Sequence, residues 1–310
     1  MDKGFLQKIL FLTLLTACLV PAVSTVHALL AGILFSLLLG NPWPGQTAAW
    51  SRRLLQMSVV GLGFGLSFTQ VWEVGKSSFL YTVIGIMLIL LAGLVFGRLF
   101  RTERNTSILI AFGTAICGGS AIAAMAPVIK ARDDQAALAL ATVFSLNAIG
   151  LLVFPFFGHL LNLDQHQFGL WAALAIHDTS SVVGATAAYG PAALATGTTV
   201  KLTRALWIIP FVLAAAGATR CRARARVPLF IIGFVLAAAL HSLLPQFANV
   251  WAGLTLLARQ ALVVTLFLIG TGLTREILRR VGIRPLAQGV SLWVLASSVT
   301  LAAILGGLIG

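Results

Sequence analysis

Apolar positions in this chain form long unbroken runs, with neither the strict alternation of a strand nor the single stripe of a soluble helix. Such runs recur from end to end, at lengths suited to crossing about 30 Å of hydrocarbon. They predict membrane spans over residues 5–20, 22–40, 50–71, 77–100, 134–160, 198–219, 228–244, 250–273 and 286–309. Prolines and asparagines, among them Asn41, Pro42, Pro44, Pro191 and Pro245, punctuate the connections. Two further segments, 106–130 and 168–190, are long enough to span but polar at their centres. The first contains Ile116-Cys117-Gly118-Gly119-Ser120-Ala121 and the second Ile176-His177-Asp178-Thr179-Ser180-Ser181. Isoleucine, serine and small residues fall in register between them. Lipid-facing backbone must be hydrogen-bonded internally, so glycine pairs, hydroxyls and a carboxylate suit a helix broken inside protein or a watery cavity. Transporters build midplane substrate sites from such breaks. Regular helix is expected to fail near Gly118-Gly119 and Thr179-Ser181, and the two breaks are expected to approach one another.

The chain is 59% hydrophobic and 9% charged, with a mean hydropathy of +1.00, which excludes an ordinary soluble domain. The fold class expected is an all-α polytopic membrane protein of about nine to eleven transmembrane helices, in one integral-membrane domain over residues 1–310, with inverted repeats. The net charge of +13 does not point to nucleic acid, because the basic residues sit in short loops between apolar spans. Arg220, Arg222, Arg224 and Arg226 mark one cytoplasmic loop, and Arg275, Arg279, Arg280 and Arg284 another. Arg98, Arg101 and Arg104 mark a third, and Arg52 with Arg53 a fourth. Loops at 160–167 and 245–249 carry no Lys or Arg. The N-terminus is therefore expected inside and the C-terminus outside. Full crossing by both broken segments satisfies this pattern. Re-entry by both, from opposite faces, satisfies it slightly better, since it leaves Lys130 and Arg132 inside.

The first twenty residues, with Lys3 and Lys8 before an apolar run, are similar to a signal peptide, and Leu15-Thr16-Ala17-Cys18 to a lipoprotein processing box. An uncleaved first helix is preferred, because another apolar run follows Pro21 directly. Cys18, Cys117 and Cys221 have no spacing that suggests a disulfide or a metal site. Gly63-Phe64-Gly65-Leu66-Ser67, separated from Arg52 by ten residues, is echoed by Gly270-Thr271-Gly272-Leu273-Thr274, separated from Arg259 by ten residues. On this topology the two helices run in opposite directions, as inverted repeats require. The matching pieces do not follow a simple tandem order, and glycine and leucine are common enough for chance similarity.

Residues Thr114 to Ile129, around Cys117-Gly118-Gly119-Ser120, resemble the signature of the YeiH-type sulfate exporter family of bacterial inner-membrane proteins. His177 to Ala185 and Val200-Lys201-Leu202-Thr203-Arg204 resemble its second and third blocks. The resemblance implies a multi-pass protein of the bacterial inner membrane. It places the chain with the bile-acid/sodium symporter and cation/proton antiporter superfamily. Crossed discontinuous helices and an elevator-type motion of a core against a panel domain follow as expectations.

The candidate substrate-binding residues are Cys117, Gly118, Gly119, Ser120, Asn147, Thr179, Ser180, Ser181, Lys201 and Arg204; His177 and Asp178 are the candidates for ion coupling. Each has a plainer explanation. Gly118 and Gly119 could serve close helix packing. Thr114 and Ser120 could bond back to their own helix. Cys117 could be a small buried residue, and Asn147 interhelical glue. Asp178 is a carboxylate inside an apolar segment, which is a functional candidate by default, but it could equally hold a buried cation. His177 titrates near physiological pH. Lys201 and Arg204 supply the positive field an oxyanion needs if they face the cavity, and ordinary topology charge if they lie at a helix mouth. His27 and His241 read as packing residues, and the tryptophans as interfacial belts.

These features point to a secondary active transporter of a small inorganic or sulfur-containing anion, sulfate first, rather than to an enzyme. No Gly-rich phosphate loop is present to bind ATP. No cofactor is expected beyond a coupling proton or sodium ion, and the partners expected are the anion, the bilayer and, left open, a second copy in a homodimer. One alternative is a cation/proton antiporter using Asp178. A second is an intramembrane enzyme using Cys117, His177 and Asp178.

Overall fold

The computed structural model describes residues 3–20, 22–219, 229–272 and 282–309. All regular structure among them is helical, as the hydropathy predicts. In chain order the helices are α1 (Lys3–Ala17), α2 (Thr25–Leu39), α3 (Pro44–Gly63), α4 (Phe68–Leu99), α5 (Arg104–Ala115), α6 (Gly119–Met125) and α7 (Asp133–Leu160). They continue as α8 (Gln165–Ala175), α9 (Thr179–Tyr189), α10 (Pro191–Leu206), α11 (Ile208–Thr219), α12 (Leu229–Leu243), α13 (Ala248–Thr271) and α14 (Ile283–Leu305). Among the described residues, five stretches are long and apolar enough to cross a bilayer: Phe68–Leu99, Asp133–Leu160, Pro191–Thr219, Pro245–Thr271 and Ile283–Leu305. Gly4–Ala17, Thr25–Leu39 and Leu229–Leu243 are shorter apolar helices. Leu38, Leu80, Leu229 and Leu256 are among many large apolar side chains left exposed, as a lipid-facing coat requires.

Several boundaries differ from expectation, among them the start of α4, at Phe68 rather than at 77. The third span was expected over 50–71, but α3 starts at Pro44, ends at Gly63 and is followed by a tight turn. Proline at the first helical position is pre-organised for this, its missing N–H being one that would have no partner anyway. The same device starts α10 at Pro191 rather than at 198.

The described chain separates into two compact units, one drawn from Met1–Trp72 with Pro228–Glu276, the other from Glu73–Val227 with Ile277–Gly310. In the first, Phe11, Cys18, Phe35 and Phe267 share a buried cluster, with Phe11 edge-on to Phe35 at 5.5 Å. The glycine echo has a structural counterpart here. A methyl on Gly63 would lie 2.5 Å from the Phe234 carbonyl of α12, and one on Gly270 would lie 2.5 Å from the Leu29 carbonyl of α2. Gly32 of α2 in turn lies against Phe267, and Gly233 of α12 against Val60. Thus α2 crosses α13 as α12 crosses α3, with Gly270 and Gly63 at matching places. Gly61 faces Ala258 while Gly65 faces Thr255, so α3 and α13 run antiparallel. Gly63→Val is expected to cost about 1–3 kcal/mol by overpacking this crossing. Thermal unfolding in detergent measures it, and an unchanged melting temperature would refute the close approach.

Arg220 to Arg226, Arg275, Arg279, Arg280, Cys221, Leu273 and Thr274 lie outside the described residues.

Candidate functional site

Both polar segments fold as helical hairpins. In the first, α5 ends at Ala115 and α6 begins at Gly119. Between them Gly118 has φ +66° and ψ −126°, a conformation essentially restricted to glycine. Its N–H donates to the Gly113 carbonyl at 2.8 Å, and the Gly113 backbone is in contact with the Ile122 side chain, so α6 folds back along the end of α5. The outer ends also meet. Arg132 pairs with Glu103 at 3.1 Å, Asn105 Nδ2 donates to Gln135 Oε1 at 3.2 Å, and Gln135 Nε2 donates to Glu103. The segment therefore leaves where it came in.

The second hairpin is built alike from α8 and α9. The Tyr189 hydroxyl donates to the Leu163 carbonyl, and Gln165 Oε1 accepts from the Ala192 N–H at 2.9 Å. Tyr189 stacks on Phe168 with centroids 3.8 Å apart. These contacts lie at the opposite end of α7, whose 28 residues cover about 42 Å. Of the two arrangements open to the sequence, the chain adopts re-entry by both segments, from opposite ends of α7.

The break in the second hairpin lies at Ile176–Asp178, not at Thr179–Ser181 as expected. Asp178 is the reason. Its Oδ2 accepts from the Ser180 N–H at 3.0 Å and from the Ser180 hydroxyl, an N-cap that makes Thr179–Ser181 the first turn of α9. The two breaks touch: a methyl on Gly118 would lie 3.3 Å from Cα and Cβ of Asp178. Asn147, mid-way along α7, accepts the Asp178 N–H on Oδ1 at 3.3 Å.

The C-terminal ends of α5 and α8 thus converge at this crossing, and each brings carbonyls without helical partners and partial negative charge. Lys201 and Arg204, one turn apart on α10 and both buried, serve them. Lys201 Nζ donates to the carbonyls of Ile176 at 2.7 Å and Ala173 at 3.3 Å. Arg204 Nε donates to the Ala115 carbonyl and Nη1 to the Leu174 carbonyl, both at 2.6 Å. Arg204 therefore ties the first hairpin to the second. Sequence reasoning found both cations but not this capping. The available signal was their one-turn spacing on a helix directly after a broken pair.

Several buried polar atoms here have no hydrogen-bond partner among the described residues: Thr114 Oγ1, Asn147 Nδ2, Thr198 Oγ1 and both ring nitrogens of His177. They come from the first hairpin, α7, α10 and the second hairpin. An unmatched buried polar atom costs about 1–3 kcal/mol, so they are suited to receive a bound ligand or water. His177 hydrogen-bonds neither Cys117 nor Asp178. Cys117 is buried beside the Gly118 break, Ser120 is exposed on the first turn of α6, and Gly119 packs on the Phe144 ring. Thr179 and Ser181 are buried, and Ser180 half-buried, on the first turn of α9.

A family model described as conserved hypothetical protein 698 matches residues 5–289. A UPF0324 membrane protein of Geobacter sulfurreducens is 60% identical over 98% of each chain. One from Bdellovibrio bacteriovorus is 50% identical over 99% of this chain and 97% of its own, and one from Bacteroides thetaiotaomicron 49% identical over 89% and 85%. No solved structure matches the chain.

Proposed function

This chain belongs to the conserved hypothetical protein 698 family of UPF0324 membrane proteins, and we propose that it is a secondary transporter carrying a small anion past the meeting point of its two hairpins. The observation that carries this reading is the pair Lys201 and Arg204. Both are buried at the crossing, and neither forms a salt bridge among the described residues. Buried charges are ordinarily paired. Two cations face one carboxylate here, and a bound anion supplies the missing counter-charge. The unmatched donors of Thr114, Asn147 and Thr198, with exposed Ser120, extend the set. Sulfate or a related sulfur oxyanion is the first candidate, and a proton or sodium gradient the energy source.

The cation-antiporter alternative needs Asp178 free to bind an ion, whereas its Oδ2 is engaged in capping α9. Thermal unfolding of the purified protein with potassium sulfate, sulfite or thiosulfate, or with sodium chloride, each against potassium chloride of equal ionic strength, separates the two. A ligand at a hundred times its Kd raises apparent stability by about 2.7 kcal/mol. Stabilisation by sodium, with no response to any oxyanion, would favour the antiporter.

Asp178 yields a further expectation. Asparagine is as good an N-cap as aspartate, so Asp178→Asn is expected to change stability by less than about 0.5 kcal/mol, while Asp178→Ala costs about 1 kcal/mol. If Asp178 couples transport, Asp178→Asn in proteoliposomes loses the response to a proton or sodium gradient and keeps exchange down the substrate gradient. Intact gradient-driven transport would remove Asp178 from the coupling role.

A further inference from the structure

Beside the hairpin tips, the second unit holds a cavity of about 520 Å³ between α4, α8, α10 and α14. This is within the roughly 300–1,000 Å³ typical of small-molecule sites. Exposed His166 stands at its mouth, on the first turn of α8. Leu170 and Leu174 follow on the same helical face at successive four-residue steps. The cavity therefore descends about 12 Å along α8 and reaches Arg204. Its walls are mainly apolar, with Ile84 of α4 and Val299 of α14 opposite the leucines. Arg204 commits Nε and Nη1 to the two hairpins, and its Nη2 has no hydrogen-bond partner among the described residues.

A charged floor beneath apolar walls makes two demands on an occupant. A bare inorganic oxyanion meets the guanidinium but sheds most of its hydration against walls that, apart from Ser77, Tyr81, His166 and Thr300, return no side-chain hydrogen bonds. A purely apolar molecule leaves the Arg204 donors unmatched. We infer that the substrate class is an organic anion with a short apolar body, such as an alkylsulfonate. Its headgroup reaches the Arg204 floor and its chain packs against Leu170, Ile84 and Val299. This rests on the anion-transporter reading and narrows its substrate.

The test is calorimetry on the full chain in nanodiscs of zwitterionic lipid, with empty nanodiscs as reference. The probes are sulfate, methanesulfonate, butanesulfonate and hexanesulfonate, with hexylammonium as the cationic control. Affinity is expected to rise about fourfold per methylene along the sulfonates, hexylammonium is expected not to bind, and Leu170→Asn is expected to flatten the series. Sulfate binding with no dependence on chain length would overturn the inference and leave the anion reading standing. Failure of every anion to bind would overturn both. Equal gain for hexylammonium would mean unspecific partitioning and would also overturn the inference. So would loss of the sulfonate series in nanodiscs doped with anionic phospholipid, which would make the cavity a lipid site.

Discussion

Arg204→Ala is expected to lower folding stability by about 3–5 kcal/mol, the largest loss from any single substitution at the crossing. Two charge-assisted hydrogen bonds disappear at once, each worth about 1.5–3 kcal/mol. The carbonyls they served, Ala115 and Leu174, end different helices in different hairpins. Both are left facing the tips without a donor, and the partial negative charge of two helix termini loses its nearest cation. Arg204→Lys is expected to recover less than half of the loss, because one ammonium cannot reproduce the fork that reaches both carbonyls. Stabilisation by oxyanions is expected to vanish in the alanine variant. A melting curve for Arg204→Ala that overlays the native one would show that the hairpins are held together by something else. Lys201→Ala breaks contacts within the second hairpin only, so its effect is expected to be smaller.

The reach and the limit of sequence reasoning both show at these residues. Hydropathy revealed the helices because the bilayer imposes one rule on every spanning residue. Polar side chains at depth revealed the two breaks for the same reason. Whether the broken segments cross or turn back was undecided, since loop charges satisfied both. The contacts that decide it, Arg132 with Glu103 and Tyr189 with Leu163, join residues 29 and 26 positions apart. Lys201 and Arg204 were visible as cations, but the backbone carbonyls they serve have no letter of their own. Asp178 was visible as a carboxylate at depth, yet its role as a cap depended on where α9 begins. The glycine echo between α3 and α13 was legible, whereas Gly32, which receives the Phe267 backbone, and Gly233, which receives the Val60 side chain, looked like any glycine in a membrane helix. The 44–49 stretch read as part of a connection because Asn41, Pro42 and Pro44 punctuate it, although Pro44 starts a helix there.

Gly118→Ala is expected to impair transport more than it impairs folding. At φ +66° and ψ −126° an L side chain is strained by about 1–3 kcal/mol. The added methyl would also press on Asp178 from 3.3 Å, on backbone-anchored atoms that cannot swing aside. Strain and contact are relieved together if the two tips separate. Separation spreads the donors of Thr114, Asn147, Thr198 and Arg204 that are proposed to share one anion, and each 1.4 kcal/mol lost there lowers affinity about tenfold. The expected result is a stability loss of about 1–3 kcal/mol with at least a tenfold weaker oxyanion response. Gly119→Ala is the informative control, because Gly119 lies in the regular turn of α6 and its nearest neighbour is the outer edge of the Phe144 ring, 2.8 Å from the added methyl. That ring can rotate away, so Gly119→Ala is expected to cost less than about 1 kcal/mol and to keep oxyanion binding. If both alanines behave alike, the left-handed corner at Gly118 does not set the spacing of the tips, and the anion must be held by one hairpin alone.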